Sequence, residues 1–366
     1  MKSRCIKLII LLSLFIVIGF IYFYKSKKVI LLNQLTPFSY QENYQYYFQK
    51  LNHHEQTIYL DLYKCFQNFQ EKIAIQDLTL AQIQKIYQYI LMDNPSLFYV
   101  KNSFRYIQKT NEIEFQPLYQ YHKEEVQKYN QQIEKQTYSI IHEANQQSND
   151  LDKMKIIYNY IIETVRYQKN KNDQNIISVF INKESVCAGY AKAYQYLLTK
   201  VGIKAIYISG ISKNNISKEN LHAWIMVLLD NDYYYSDPTW GDVEEKEITH
   251  CCYSYFLMNS DEMLRCYQPD SYYEKTIHFQ KEYYKDMGCY MERYDRSVLS
   301  YAIQRALKQR IRVAEIKCQD EQLYQQIKNE IQNSQLGYLL LEENHCYNDK
   351  ILFSWNDYLR TIEIIF

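Results

Sequence analysis

Glycine and tryptophan are scarce in this chain of 366 residues, and most of them fall in one short stretch. The chain has seven glycines and three tryptophans, and four of the glycines and two of the tryptophans lie within residues 186–242. Glycine adopts positive φ and lets another part of the chain or a ligand approach the backbone closely. Residues 186–242 are therefore the stretch in which the backbone is most constrained by the fold.

The first part of this stretch predicts a buried helix that begins with a cysteine. Apolar residues recur on one face, Ser185 is placed to cap the start, and Gly202 follows where a left-handed residue typically ends a helix. Cys187 then lies in the first turn, where unpaired backbone N–H groups and the helix dipole stabilise a thiolate. We expect Gly189 to keep the surface beside the sulfur open to a substrate.

The second part predicts strands at residues 204–209, 222–229 and 233–236. The last two are joined by a short polar turn at residues 230–232, which is typical of an antiparallel hairpin. This pairing places His222 opposite residues 235–239. Asp237, which follows the third strand, can then accept a hydrogen bond from the imidazole.

These motifs resemble those of the transglutaminase-like superfamily of papain-like thiol enzymes. They are Cys-x-Gly-Tyr-Ala from Cys187, His-Ala-Trp from His222 and Asp-Pro-Thr-Trp from Asp237. Each motif alone is weak, but the three in this order and on these elements are specific. The resemblance covers about residues 135–270. It implies a papain-like α+β fold with Cys187 as nucleophile, His222 as general base and acid, and Asp237 as the orienting group.

Two further expectations concern the site itself. The backbone N–H of Cys187 is expected to supply one donor to an oxyanion, and Tyr167 is the candidate for the second. Many relatives have Asn after His-Ala-Trp, where this chain has Ile225. The sequence has no acidic cluster resembling the calcium sites of animal transglutaminases, so neither a metal nor another cofactor is expected.

The rest of the chain suggests an α+β protein with four parts. They are a membrane anchor at residues 1–28, a mainly helical region with a short hairpin at 29–134, the catalytic domain at 135–284, and a small α+β domain at 285–366. The hairpin strands are predicted at 97–107 and 113–118. In the last part, helices at 298–308 and 321–331 alternate with strands at 311–317, 338–341, 351–355 and 360–366.

Residues 8–24 form an uncharged, mostly apolar run with basic residues on both sides. A membrane helix fits best, because the run exceeds the roughly 7–15 residues of a signal-peptide core and ends in aromatic residues instead of a small-residue cleavage site. The basic residues are balanced and do not decide the orientation. We expect a single-pass protein whose catalytic domain is extracellular, as in similar bacterial anchored proteins, although nine cysteines, an odd number, count against an oxidising exterior.

The expected function is that of a membrane-anchored thiol enzyme acting on carboxamide or peptide carbonyls through a thioester. Protein cross-linking, deamidation and peptide hydrolysis all use this chemistry, and the sequence favours none of them. The expected partners are protein or peptide substrates, among them components of the cell envelope. With 42 basic and 42 acidic residues, the chain shows no sign of binding nucleic acid. The alternative is a non-catalytic module that keeps the fold to bind peptide or cell wall.

Overall fold

The computed structural model describes residues 45–213, 220–245, 248–270, 272–333, 336–343 and 351–366. Residues 46–366 pack as one compact unit. The predicted membrane segment at residues 8–24 lies outside the described residues. Among the helices of the described ranges, none is both long and apolar enough to cross a membrane.

The region before the catalytic core combines helices with a small antiparallel sheet. Its helices are α1 (Tyr46–Gln49), α2 (His53–Gln67), α3 (Leu80–Asp93) and α4 (Lys123–Asn145). Its strands are β1 (Ile73–Ile75), β2 (Val100–Gln108) and β3 (Ile113–Tyr119), in the order β1-β3-β2. Helices α2 and α3 begin at capping boxes on Asn52 and Thr79, which satisfy the first free N–H groups of each helix. The predicted hairpin is β2–β3, and β1 is an additional strand.

The core is built around a four-stranded antiparallel sheet in the order β11-β6-β7-β8. Its elements are α5 (Asp150–Thr164), β4 (Arg166–Tyr167), a π-helical turn (Ser178–Asn182), β5 (Glu184–Ser185), α6 (Cys187–Lys200), β6 (Lys204–Ser212), β7 (Leu221–Leu229), β8 (Asp232–Ser236), β9 (Asp242–Glu245), β10 (Ile248–Cys251), α7 (Ser260–Cys266) and β11 (Tyr267–Pro269). Because side chains alternate along a strand, β6 and β7 bury both faces of the sheet. Ile225 joins the cluster that contains α6, and Trp224 joins the cluster that contains Tyr267.

Short backbone features set the register that the site needs. Asp230 and Asn231 both have positive φ, 47° and 64°, which suits the tight turn between β7 and β8. Ile225 pairs with Ser236, so His222 lies beside the segment that follows Ser236, as predicted. Gly202, at φ 86°, ends α6 in the expected left-handed conformation.

The carboxyl-terminal part contains a four-stranded sheet in the order β12-β13-β15-β14. Its elements are α8 (Tyr283–Asp286), β12 (Tyr290–Met291), α9 (Arg296–Lys308), β13 (Val313–Cys318), α10 (Glu321–Asn333), α11 (Leu336–Glu343), β14 (Leu352–Asn356) and β15 (Thr361–Ile365). The strand predicted at residues 338–341 is wrong, because these residues belong to helix α11. Leu336 and Leu340, four residues apart, are both buried, which is helical spacing that a short apolar run does not reveal.

This sheet is attached to the core through buried charges. Lys317 on β13 lies 2.6 Å from Glu262 on α7 and 3.1 Å from Glu282, and all three side chains are at most 6% exposed. The domain boundaries predicted at residues 134 and 284 stay predictions, since both fall within the one compact unit.

Candidate active site

Cys187 is the first residue of α6 and is partly exposed. Val186 precedes the helix as its N-cap residue, and its carbonyl accepts from the N–H groups of Gly189 and Tyr190 at 2.9 and 3.1 Å. The N–H groups ahead of these have no partner within the helix itself. The sulfur therefore lies at the positive end of the helix, as the sequence predicts.

Ser185 does not cap α6, contrary to the sequence-based expectation. No side chain caps this helix, and the Ser185 Oγ lies 2.6 Å from the Oγ of Ser178, with both serines buried. Gly189 has a different role from the expected one as well. A Cβ on Gly189 would lie 1.9 Å from the Ser185 Oγ and 2.7 Å from the Ser178 Oγ. This glycine lets α6 pack closely on the preceding segment and does not open a surface beside the sulfur.

His222 and Asp237 form a buried pair. The imidazole Nε2 lies 2.6 Å from the Asp237 Oδ2, and the two side chains are 8% and 0% exposed. An ionised carboxylate only accepts hydrogen bonds, so Nε2 carries the proton. The nitrogen left to face another group is Nδ1.

Cys187 is the other group that acts on the imidazole. Burial alone would lower the pKa of His222, but the charge and hydrogen bond of Asp237, together with a hydrogen bond and charge from Cys187, raise that pKa to about 10. Since Nε2 is bonded to Asp237, Nδ1 is the nitrogen that stays available to Cys187. Asp237 and Cys187 thus both act on the same imidazole, and the catalytic use of the three residues stays a prediction.

The Asp-Pro-Thr-Trp motif fixes the carboxylate. The Asp237 Oδ1 accepts from the backbone N–H of Thr239 at 2.9 Å and from that of Trp240 at 3.3 Å. The turn after β8 thereby holds one oxygen of the carboxylate and leaves Oδ2 facing His222. The motif shapes the site through its backbone as well as through the aspartate itself.

Tyr267 is a site residue that sequence reasoning missed. Its hydroxyl donates to the Asp237 Oδ2 at 2.7 Å. Its ring is stacked on the His222 ring at 5.5 Å and 10°, and on the Trp224 ring at 4.5 Å and 19°. Tyr267 lies on β11, which joins the sheet by pairing with Ser212 on β6. In a chain with 40 tyrosines, no motif distinguishes this one.

Tyr167 lies on β4, in parallel pairing with Ser185 on β5. Burial, and after it the charges of Cys187 and Asp237, raise the pKa of Tyr167. Its side chain is nevertheless 54% exposed. The phenol is thus close enough to Cys187 to interact with it electrostatically while facing solvent, and its role as an oxyanion donor stays a prediction.

One group of potential metal ligands occurs in the described part of the chain, and it does not include Cys187, His222 or Asp237. Single ligand atoms of Cys252, Glu315 and Glu363 lie within 4.8 Å of one another. The carboxylates already have partners, because Tyr284 donates to Glu315 at 2.7 Å and the Nε2 of His250 lies 3.0 Å from Glu363. This network satisfies itself through protein groups, and we assign no metal to it.

Comparison with known families agrees with this geometry. Residues 138–238 match the family model described as the transglutaminase-like superfamily, and this segment contains Cys187, His222 and Asp237. The chain therefore carries a domain of the transglutaminase-like superfamily, which confirms the resemblance inferred from the motifs. The expected α+β class with a transglutaminase-like core is also confirmed.

Solved structures show a distant likeness to the chain. A structure described as a TGase is 15% identical, covers 48% of this chain and 52% of its own, and has a TM-score of 0.30. A proposed cysteine protease from Cytophaga hutchinsonii is 12% identical over 37% of this chain and 61% of its own, with a TM-score of 0.26. The periplasmic domain of TgpA from Pseudomonas aeruginosa is 15% identical over 35% of this chain and 53% of its own, with a TM-score of 0.24.

The matched regions thus span between 52% and 61% of the length of these three structures. Likeness at this level carries no argument about activity. No curated protein matches the sequence.

Proposed function

We propose that this protein is a thiol acyl-transfer enzyme that uses Cys187, His222 and Asp237 as a catalytic triad. The observation that carries the proposal is the buried His222–Asp237 pair at 2.6 Å beside a partly exposed cysteine at a helix start. A carboxylate that orients an imidazole next to a thiol is the arrangement that nucleophilic catalysis by cysteine requires.

The reaction begins with the Cys187 thiolate and the His222 imidazolium. The sulfur attacks the carbonyl carbon of a carboxamide or peptide, and the carbonyl π electrons move to oxygen. When this intermediate collapses, the C–N bond breaks and Nδ1 of His222 gives its proton to the leaving amine, which leaves a thioester on Cys187. Water or an amine then attacks the thioester while His222 takes up the proton, and the departing thiolate restores the starting state.

The oxyanion in both steps needs hydrogen-bond donors. The backbone N–H of Cys187 at the start of α6 is one, and we assign the Tyr167 hydroxyl as the other on the basis of its electrostatic contact with Cys187. Removing the hydroxyl in Tyr167→Phe then slows acyl transfer by about a hundred- to a thousandfold, the range for one oxyanion donor.

The substrates we propose are proteins or peptides, in keeping with the transglutaminase-like domain. The thioester is common to cross-linking, deamidation and hydrolysis, and the acceptor decides between them. An amine acceptor gives cross-linking, whereas water gives deamidation or hydrolysis.

A thiol-reactive probe tests the proposal. We expect iodoacetamide to label Cys187 stoichiometrically at neutral pH, and His222→Ala to slow that labelling strongly. Cys251 is the matched control, since it is also partly exposed, while burial raises its pKa to about 12. Cys251→Ala should leave the labelling unchanged, and Cys187→Ala should abolish it. An inert Cys187 would instead favour a non-catalytic binding module.

We further propose that residues 8–24 anchor the chain in a membrane with the catalytic domain outside the cell, where envelope proteins and peptides are the available substrates. The uncharged run and its basic flanks support the anchor. The cysteines count against an extracellular location, because the seven in the described residues are free thiols and an oxidising exterior favours disulfides. A membrane-impermeant maleimide should label Cys187 in intact cells. Labelling that appears only after permeabilisation would place the domain in the cytoplasm.

A further inference from the structure

A cavity of about 190 Å³ lies between the amino-terminal helical region and the catalytic core. One wall comes from the end of α3, the start of β2 and Gln120. The other comes from Lys171, Asn172, Gln174, Asn175 and Lys192, the last of these on α6. Cavities between structural units that contain a few convergent polar groups are where proteins usually bind small groups. None of the lining residues belongs to the Cys187, His222 and Asp237 site.

The charged side chains that line the cavity are all basic. Lys101, Lys171 and Lys192 line it, and no aspartate or glutamate does so among the described residues. Its other polar groups are the amide side chains of Asn94, Asn102, Gln120, Asn172, Gln174 and Asn175. The amide nitrogens of Asn94, Gln120 and Gln174 already donate to protein groups, Gln174 to Asp173 at 3.1 Å. Three cations without a lining carboxylate suit an anion.

Lys192 is the central cation of this lining. It is half-buried, its Nζ donates to the Gln174 carbonyl at 3.0 Å, and it lies over the Tyr207 ring at 5.5 Å. Across the described ranges it forms no salt bridge, and burial lowers its pKa to about 8. A cation held in this way without a counter-charge is costly, and a bound anion would offset that cost.

The Tyr207 ring lies under Lys192, next to the cavity. Burial and then the charge of Cys187 raise the pKa of Tyr207, so this ring is within electrostatic reach of the sulfur on one side and of Lys192 on the other. Lys192 also follows Cys187 by five residues on the same helix. The segment that walls the cavity also packs against the first turn of α6, where a Cβ on Gly189 would lie 2.9 Å from the Asp173 carbonyl oxygen, so the cavity lies beside the helix that carries Cys187.

We propose that this cavity binds a carboxylate of the substrate, such as an acidic side chain near the carbonyl that Cys187 attacks. Lys192 pairs with the carboxylate from within, and Lys101 and Lys171 attract it at the exposed rim. This substrate preference rests on the proposed function, since it assumes that Cys187 acts on peptides.

The test compares two blocked peptides, acetyl-Ala-Glu-Ala-amide and its Gln counterpart, by calorimetry on the intact protein at fixed ionic strength. We expect the Glu peptide to bind at least about tenfold more tightly, and Lys192→Met to remove that difference while Lys192→Arg restores most of it. Lys200→Met is the matched control, because Lys200 also lies on α6 over a tyrosine ring and burial also lowers its pKa. It should leave both affinities unchanged.

Equal affinity for the two peptides, or a preference for Glu that survives Lys192→Met, would overturn the proposal. Acetate distinguishes a free anion from a substrate group: if acetate competes as well as the Glu peptide does, the cavity holds small anions and the substrate assignment fails. Iodoacetamide labelling of Cys187 in the wild-type protein tests the proposed function separately, so a negative binding result with normal labelling overturns only the carboxylate site.

Discussion

Replacing Tyr267 with phenylalanine tests whether the hydroxyl behind Asp237 contributes to the site. The change removes one donor to the Asp237 Oδ2 and keeps the ring that stacks on His222 at 5.5 Å. Among the described residues, Tyr267 has no contact with the Cys187 sulfur. It would therefore affect the reaction only by holding Asp237 and His222 in position. We expect both stability and the reactivity of Cys187 to fall.

The size of the effect follows from the geometry. A hydrogen bond to a charged group contributes about 1.5–3 kcal/mol, and Asp237 is fully buried, so water does not replace the lost donor. We therefore expect the free energy of unfolding to fall by about 1.5–3 kcal/mol. If all of this energy appeared in the transition state, labelling would slow by roughly ten- to 150-fold, since about 1.4 kcal/mol corresponds to a factor of ten. Because the hydrogen bond persists throughout the reaction, we expect no more than about tenfold.

The assay combines urea denaturation with the rate of Cys187 labelling by iodoacetamide. Tyr194→Phe is the control, since it removes a buried hydroxyl that donates to the Met154 carbonyl at 3.2 Å, within the same core. It should lower stability by about 0.5–1.5 kcal/mol and leave the labelling rate unchanged. If Tyr267→Phe lowers stability but labels at the wild-type rate, the hydroxyl is structural only and the positioning argument is refuted.

Two further predictions concern the pH dependence of the site and its packing. In ¹⁵N NMR of histidine-labelled protein, His222 should titrate near its raised pKa of about 10, and Asp237→Asn should move this titration toward the ordinary value of about 6.5. The stabilisation by the charged pair is then complete below about pH 6.5 and lost as the pH rises through about 10; an unchanged titration in the variant would contradict the assignment. Gly189→Ala should lower stability by about 1–3 kcal/mol through overpacking against Ser185, and adding Ser185→Ala should recover part of the loss in the same denaturation assay. Wild-type stability in the single variant would show that the helix can move away at no cost.

Local patterns determined much of what the sequence could predict. The helix that starts at Cys187, the hairpin that brings His222 beside Asp237, and the left-handed end at Gly202 each follow from short-range rules of capping, alternation and turn formation. These rules involve residues that are neighbours in sequence or across one tight turn. The order of the three motifs then gave the superfamily, which the family model confirms.

The errors came from segments where local rules permit two outcomes. An apolar run of four residues fits a buried strand or one turn of a helix, and only packing placed residues 338–341 in α11. Likewise, a serine before a helix is a good cap by propensity, but Ser185 is drawn to Ser178 instead. Gly189 was expected to leave space, whereas the space is filled by those two serines.

The sequence by itself determined which residues we propose carry the chemistry, because a nucleophile, a base and a carboxylate are recognisable by type, order and spacing. Only the tertiary structure decided what surrounds them. Tyr267 reaches Asp237 because β11 pairs with β6, and Lys192 lines a cavity because the amino-terminal helices pack against α6. Such contacts join residues far apart in the chain, and a sequence rich in tyrosine and lysine gives no local sign of which ones will meet.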